Sequence, residues 1–147
     1  MFTHLLVPVS RTEAVGRALE VALALAQPAQ SRVTLLHVVE RLQDTDDEEP
    51  CDETDEAFGS FYERLEQQAA RDLETAGERF RGAGVALYTK VLLGTRVETL
   101  VQYTHEHDVD LVVMQSHPVD PADPARGWNT ISYKVALLAP CPVLLVK

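Results

Sequence analysis

Leu111-Val-Val-Met-Gln-Ser-His-Pro118, then Arg126-Gly-Trp-Asn-Thr130, and finally Ala139-Pro-Cys-Pro-Val-Leu-Leu-Val-Lys147 decide how this chain reads. The first stretch is an apolar strand that runs into a loop. The second opens a helix just after a glycine, and the third is a last apolar strand. In an α/β sheet this layout can hold a phosphate at a helix N-terminus, where free backbone N–H groups and the helix dipole favour an anion. The loop itself suits phosphate badly. Pro118, Pro121 and Pro124 have no N–H to donate, Asp120 and Asp123 repel polyphosphate, and the first glycine comes only at Gly127.

Working outward, strand-like runs fall at His4 to Val9, Arg32 to Val39, Val85 to Leu93, Asp110 to Met114 and Cys141 to Val146. Four of them are nearly continuous apolar stretches, as in a parallel sheet covered by helices on both faces. Apolar residues recur at helical spacing between them, from Ala14 to Ala26, Phe58 to Phe80, Val97 to Thr104 and Ile131 to Leu138. Ser10-Arg-Thr-Glu13 and Thr95-Arg-Val-Glu98 fit the capping box that starts a helix. Gly82 and Gly84 end the second helix, and Pro140 and Pro142 bracket the exit from the fourth. The order βαβαβαβαβ, with right-handed crossovers, gives an open doubly wound five-stranded parallel sheet with four helices. Ligands of such sheets sit at the carboxyl ends of the strands, which points to Val9-Ser10, His37-Val38 and Met114 to Asn129.

A chain of 147 residues fits a single domain spanning 1–147. With 46% hydrophobic and 24% charged residues, and no apolar run near the roughly 20 residues of a membrane span, it reads as a globular protein outside the membrane. The opening Met1-Phe-Thr-His-Leu-Leu-Val-Pro8 reads as strand rather than signal peptide, so a cytoplasmic location is expected. The net charge of −10 is concentrated between Glu40 and Glu56, where ten acids stand against Arg41 alone. An acidic, solvated and flexible loop at about 40–57 is therefore expected, and the acidic balance argues against nucleic acid and anionic membranes as partners. The calcium-loop spacing D-x-D-x-D-G is not met there, and no metal is expected. Cys51 and Cys141 form no C-x-x-C pair and are expected to be free thiols.

At these segments the chain resembles the universal stress protein (UspA) family over essentially its full length. The matching stretches are Leu5-Leu-Val-Pro-Val9, Val33-Thr-Leu-Leu-His-Val38, Gly94, Asp110-Leu-Val-Val-Met-Gln-Ser-His117 and Ala139-Pro-Cys-Pro-Val-Leu-Leu-Val146. The resemblance implies a Rossmann-like sheet ordered 3-2-1-4-5, a homodimer, and a small cytoplasmic protein tied to stress survival rather than to one reaction. Some members of the family bind ATP and others do not. ATP-binding members carry G-x2-G-x9-G-(S/T) after the fourth strand and an aspartate just after the first. Here Gln115 and Pro118 replace the first two glycines, the spacer to Gly127 is one residue short, Trp128 stands where Ser or Thr would meet phosphate, and Ser10 takes the aspartate position.

Pro8, Val9, Val38, Met114, Gly127 and Thr130 are the nucleotide-contact candidates that the resemblance carries over. Ser10, Gln115, His117, Arg126, Trp128 and Asn129 join them from their place at the cleft. Ser10 is expected to act mainly as a helix cap and His37 as a satisfied strand histidine. His105 and His107, two apart on a helix, do not make a metal pair. His117 is the histidine best placed for a ligand, Arg126 could fold over the helix start, and Trp128 is expected to plug an empty nucleotide pocket. The terminal strand, with Val143, Leu144, Leu145 and Val146, is expected at the sheet edge, where it would pair with a second copy as a homodimer.

The leading expectation is a regulatory or protective stress protein without tight ATP binding and without catalysis, needing no cofactor, its protein partner unnamed by the sequence. The alternative is an adenine-nucleotide-binding member that takes ATP with magnesium and hydrolyses it slowly. An unrelated doubly wound enzyme would need a G-x-S-x-G elbow, a Walker motif or paired acids after the first strand, and the sequence has none of them.

Overall fold

A computed structural model describes residues 2–10, 16–40 and 52–147 of the chain. The strands are β1 (His4–Pro8), β2 (Arg32–Val39), β3 (Leu87–Leu93), β4 (Leu111–Gln115) and β5 (Val143–Val146). The helices are α1 (Gly16–Ala29), α2 (Asp52–Gly82), α3 (Arg96–Glu106) and α4 (Ile131–Leu138). All strand pairs are parallel, in the order β3-β2-β1-β4-β5. The order that the family resemblance implies is the order found. Between β1 and β4 the direction of winding reverses, and the loops leaving the two strands part to form a crevice.

Side chains on successive strand positions point to opposite faces, so each central strand feeds two cores. Leu5 and Val7 of β1, Val33 and Leu35 of β2, and Leu111 and Val113 of β4 pack under α1 and α2 with Leu19, Leu73 and Phe80. Leu6, Leu36, Val38, Val112 and Met114 pack on the other side with Leu100 and Tyr103 of α3 and Val135 of α4. Burying a leucine or phenylalanine completely contributes about 1.5–3 kcal/mol, so the central strands carry much of the fold's stability. That double burial is why these strands read as unbroken apolar runs.

Two helix ends show how the chain turns back to the sheet. At the end of α2 the Val85 N–H donates to the Phe80 carbonyl (2.9 Å) and the Gly84 N–H to the Arg81 carbonyl (3.1 Å). Gly84 has φ +76°, and Val85 and Phe80 pack in one core cluster. This is a Schellman ending, which a glycine accommodates without strain. The end of α1 repeats the bonds, Ser31 N–H to Ala26 and Gln30 N–H to Gln27, with Gln30 at φ +53° in the glycine position.

Three readings of the sequence need adjustment. Thr95 does stand at the N-cap of α3, but its hydroxyl makes no capping bond, and the turn is held by the backbone bond from Thr99 N–H to Thr95 carbonyl (2.9 Å). The expected acidic loop at about 40–57 lies outside the described residues from 41 to 51, and from Asp52 onward it forms the first turns of α2. The loop after β4 contains a 3₁₀ helix at Pro124–Asn129, entered through Pro124, whose fixed φ suits a first helical turn. The Ser10 capping box involves Glu13, and Cys51 lies in the acidic run; both residues are outside the described ones. Among the described residues no helix is long and apolar enough to cross a membrane.

Candidate ligand cleft

The crevice where the strand order reverses is a cleft of about 250 Å³ at the carboxyl ends of β1 and β4. Of the residues expected there, Pro8, Ser10, Met114, Gln115, His117 and Thr130 line it. Ser116, within the expected stretch Met114 to Asn129, lines it too, as do Arg96, Leu100, Ile131 and Ser132, which were not anticipated. Arg96 and Leu100 come from the first turns of α3, far from β4 in sequence. Ser132 stands on the same inward face of α4 as Val135, and both are buried. A hydroxyl on an otherwise apolar inward face was the signal that could have found it.

The remaining expected residues sit elsewhere. Val9 packs against the core under α1 and α2, and Val38 is buried in the core under α3 and α4. The Arg126 side chain is 88% exposed and pairs with Asp123 (Nε to Oδ2, 3.2 Å), so it does not fold over the helix start. Trp128 is 57% exposed and lies outside the cleft lining; it does not plug the cleft. Asn129 is exposed at the end of the 3₁₀ helix. Gly127 is buried, and a Cβ there would come within 2.8 Å of Val119 Cγ2. Its role is close packing of the loop beneath Val119.

Gln115 fastens three elements together. Its Oε1 accepts the Ala18 N–H of α1 (3.1 Å), and its Nε2 donates to the Val146 carbonyl of β5 (3.1 Å). Ala18 is in the first turn of α1, where N–H groups have no partner within the helix, so a side chain from β4 supplies the cap. His37 likewise ties two strands, its Nδ1–H donating to the Val9 carbonyl (2.7 Å), as a satisfied strand histidine would.

Backbone donors of the loop are turned inward upon it. Ala122 N–H goes to the Asp120 carboxylate (2.9 Å), Asp123 N–H to the Asp120 carbonyl (3.0 Å), Arg126 N–H to the Asp123 carbonyl (3.4 Å) and Thr130 N–H to the Gly127 carbonyl (3.2 Å). At the start of α4 the Thr130 hydroxyl donates to the Gly127 carbonyl (2.7 Å) and accepts the Tyr133 N–H (3.3 Å). Four amides of this loop and that of Tyr133 therefore have partners already, and are not free to cradle a phosphate as a glycine-rich loop does.

Side-chain hydroxyls face the cleft instead. Ser116 and Ser132 are 6% and 7% exposed, and their bonds are long: Ser132 to Ser116 at 3.4 Å, Ser132 to Thr130 at 3.3 Å and Ser116 to the His117 carbonyl at 3.4 Å. Ordinary O–H···O bonds are about 2.7–2.8 Å, so these two hydroxyls can turn to a better acceptor at little cost. Arg96 adds a guanidinium held only loosely by Glu40 (3.8 Å), with both side chains substantially exposed. Hydroxyls, an arginine and the exposed His117 can bind a compact anion. The Ser116, Thr130 and Ser132 hydroxyls bond to one another and to carbonyls. Burial, together with nearby Asp110, pushes the Cys141 thiol pKa up and away from thiolate.

Known proteins agree with this architecture. The sequence profile of the universal stress protein family matches residues 1–147. The universal stress protein YxiE of Bacillus subtilis (strain 168) is 26% identical, with all of both chains covered. Among solved structures, universal stress protein UspA from Lactobacillus plantarum is 24% identical, with TM-score 0.73, covering 99% of this chain and 98% of that one. The universal stress protein from Archaeoglobus fulgidus in complex with dAMP is 19% identical, with TM-score 0.66, covering 99% and 98%. With the parallel sheet, the crevice at its switch point and a family match along its whole length, this chain belongs to the universal stress protein family.

Proposed function

We propose that this chain is a regulatory or protective stress protein, without catalysis of its own, whose cleft does not hold ATP tightly. The observation that carries the reading is the loop after β4, where the N–H groups of Ala122, Asp123, Arg126 and Thr130 are bonded within the loop while hydroxyls and Arg96 face the cleft. A lost charge-assisted hydrogen bond costs about 1.5–3 kcal/mol. Losing one such bond weakens ATP binding by about tenfold or more. The cleft's 250 Å³ also lies below the roughly 300–1,000 Å³ of pockets for drug-sized ligands.

A second reading, an adenine-nucleotide-binding member with slow ATP hydrolysis, draws support from the dAMP bound by the Archaeoglobus fulgidus protein. Calorimetric titration of ATP with magnesium, beside AMP, separates the two, after a denatured sample has been checked for co-purified nucleotide. No heat from ATP near millimolar concentration supports the first reading. Micromolar ATP binding, or ATP released on denaturation, replaces it with the second.

The chain is further read as a single cytoplasmic domain that forms a homodimer through β5. That strand ends the sheet, and Leu144 on it is 38% exposed. Val112 N–H donates to the Pro142 carbonyl and Ser116 N–H to the Val146 carbonyl, so the even positions of β5 bond inward. The N–H groups of Val143 and Leu145 then face the open edge, where a second copy could accept them.

A further inference from the structure

A larger groove of about 440 Å³ lies at the other end of the sheet, beside the amino ends of β1 and β2. One side is the sheet face carrying Arg32 and Thr34 of β2 and Tyr88 and Lys90 of β3. The other is the end of α3, with Tyr103, His107 and Asp108. The register sets Thr34 opposite Tyr88 and Leu36 opposite Lys90, so Tyr88 stands between the two cations along the strands. The volume falls within the range of small-molecule sites.

His4 forms the floor, and its bonds are complete. The Nδ1–H donates to the His107 carbonyl (3.0 Å) and Nε2 pairs with the Thr34 hydroxyl (2.8 Å), so the ring is fixed. The α3 wall is a flat aromatic face, Tyr103 and His107 stacked with centroids 3.8 Å apart and planes 11° from parallel. Across from it Tyr88 is 57% exposed. Two aromatic surfaces around an open groove suit a planar ring between them.

Charge sets what the ring carries. The ion pairs among the described residues are Arg81–Glu74, Arg96–Glu40 and Arg126–Asp123, and neither Arg32 nor Lys90 takes part. In a chain of net charge −10, two exposed cations without a paired carboxylate mark a local excess of positive potential. Asp110, the nearest acid to the floor, is engaged by Thr3 and the His4 N–H. Opposite the cations, Asp108 and the carbonyl end of α3 present negative charge, which repels a polyphosphate and accepts a hydroxyl donor.

We propose that this groove binds a small hydroxylated aromatic carboxylate. The ring lies between Tyr88 and the Tyr103–His107 stack, the carboxylate meets the Arg32 guanidinium with Lys90 nearby, and the hydroxyl points to the end of α3. A planar guanidinium fork matches a carboxylate in two parallel hydrogen bonds, which makes Arg32 the stronger anchor.

The test is a titration of 4-hydroxybenzoate into the full chain at low salt, followed by calorimetry and by amide shifts in nitrogen-15-labelled protein. Binding is expected with a dissociation constant of about a millimolar or tighter. Shifts should gather at residues 32–34, 88–90 and 103–108. R32Q and Y88A, both at exposed positions, should each weaken binding about tenfold with the fold unchanged by circular dichroism, K90Q less, and R96Q in the other cleft not at all. Absence of binding at several millimolar, affinity indifferent to R32Q, or shifts confined to residues 114–117 and 130–132 would overturn the proposal. Inorganic phosphate producing the same shifts at equal affinity would overturn the aromatic assignment.

Discussion

Replacing Gln115 by glycine, the residue that the ATP-binding pattern of the family carries there, is expected to loosen the fold without restoring nucleotide binding. The Gln115 amide makes two hydrogen bonds, from the Ala18 N–H and to the Val146 carbonyl. Each is worth about 0.5–1.5 kcal/mol net. The Val146 carbonyl keeps the Ser116 N–H at 2.7 Å, but among the described residues the Ala18 N–H has no acceptor other than Gln115. Glycine in a strand adds roughly 0.5–1 kcal/mol of backbone entropy. The total is about 1.5–4 kcal/mol, or a melting temperature lower by about 5–12 °C in a domain of this size. Urea unfolding followed by far-ultraviolet circular dichroism measures it. Gln115→Ala should recover only the backbone share, and Gln115→Glu, which keeps an acceptor for Ala18, should lose less than either. ATP should bind no better, because Pro118, the short spacer and Trp128 remain. A Gln115→Gly protein as stable as the parent would refute the fastening role, and one that gains micromolar ATP affinity would refute the account of the cleft.

Gln30→Gly should stabilise the chain by about 1 kcal/mol, read as a higher urea midpoint at unchanged slope, since Gln30 holds φ +53° where only glycine is free of strain. Stability should fall in acid in two stages. Burial lowers the His4 pKa, outweighing the His107 carbonyl, so stability is lost as pH falls below about 6.5 through its lower folded value. Burial also pushes the Asp110 carboxyl up, but the Thr3 and His4 N–H groups and the Thr3 hydroxyl outweigh it and hold the pKa below its ordinary value. Its contribution is complete above about pH 4 and is lost as pH falls through the folded value; D110N should reduce this lower stage in urea titrations across pH. Leu144→Lys should yield folded monomers in sedimentation velocity, whereas a dimer that persists places the interface away from β5. Leu144 is the better position because Val143 and Leu145 pack into the core under α3 and α4, where a charge would damage the fold itself.

The strands were legible because β1, β2 and β4 are buried on both faces, so a continuous apolar run has one economical explanation. Their order was less so. Crossover rules give helices on both faces, but the placing of β4 beside β1 rested on the resemblance to a family. The Thr95 reading shows how far a local pattern reaches: the backbone at Thr95 is that of an N-cap, yet the side-chain bond that the capping box predicts is not made. Propensity fixed where the helix starts, and packing decided which groups meet there.

At the cleft, residues carried on strand ends or on the loop beside them could be named from position, and Pro8, Ser10, Met114, Gln115, His117 and Thr130 do line it. Arg96 and Leu100 escaped because α3 reaches the cleft from across the sheet, a contact that no spacing within the sequence encodes. Gln115 is more instructive still. From the sequence it is a glycine lost from a phosphate loop, a mark of decay. In the fold it caps α1 and holds β5 to β4 at the point where the loop leaves the sheet. On the proposed reading, a position released from phosphate contact serves stability, and the hydroxyls of Ser116, Ser132 and Thr130 present the cleft's polar surface. On this argument the departures from the nucleotide pattern are coupled. Restoring one glycine removes a fastening without freeing the four amides that bond to Asp120, Asp123 and Gly127 in the loop's own turns.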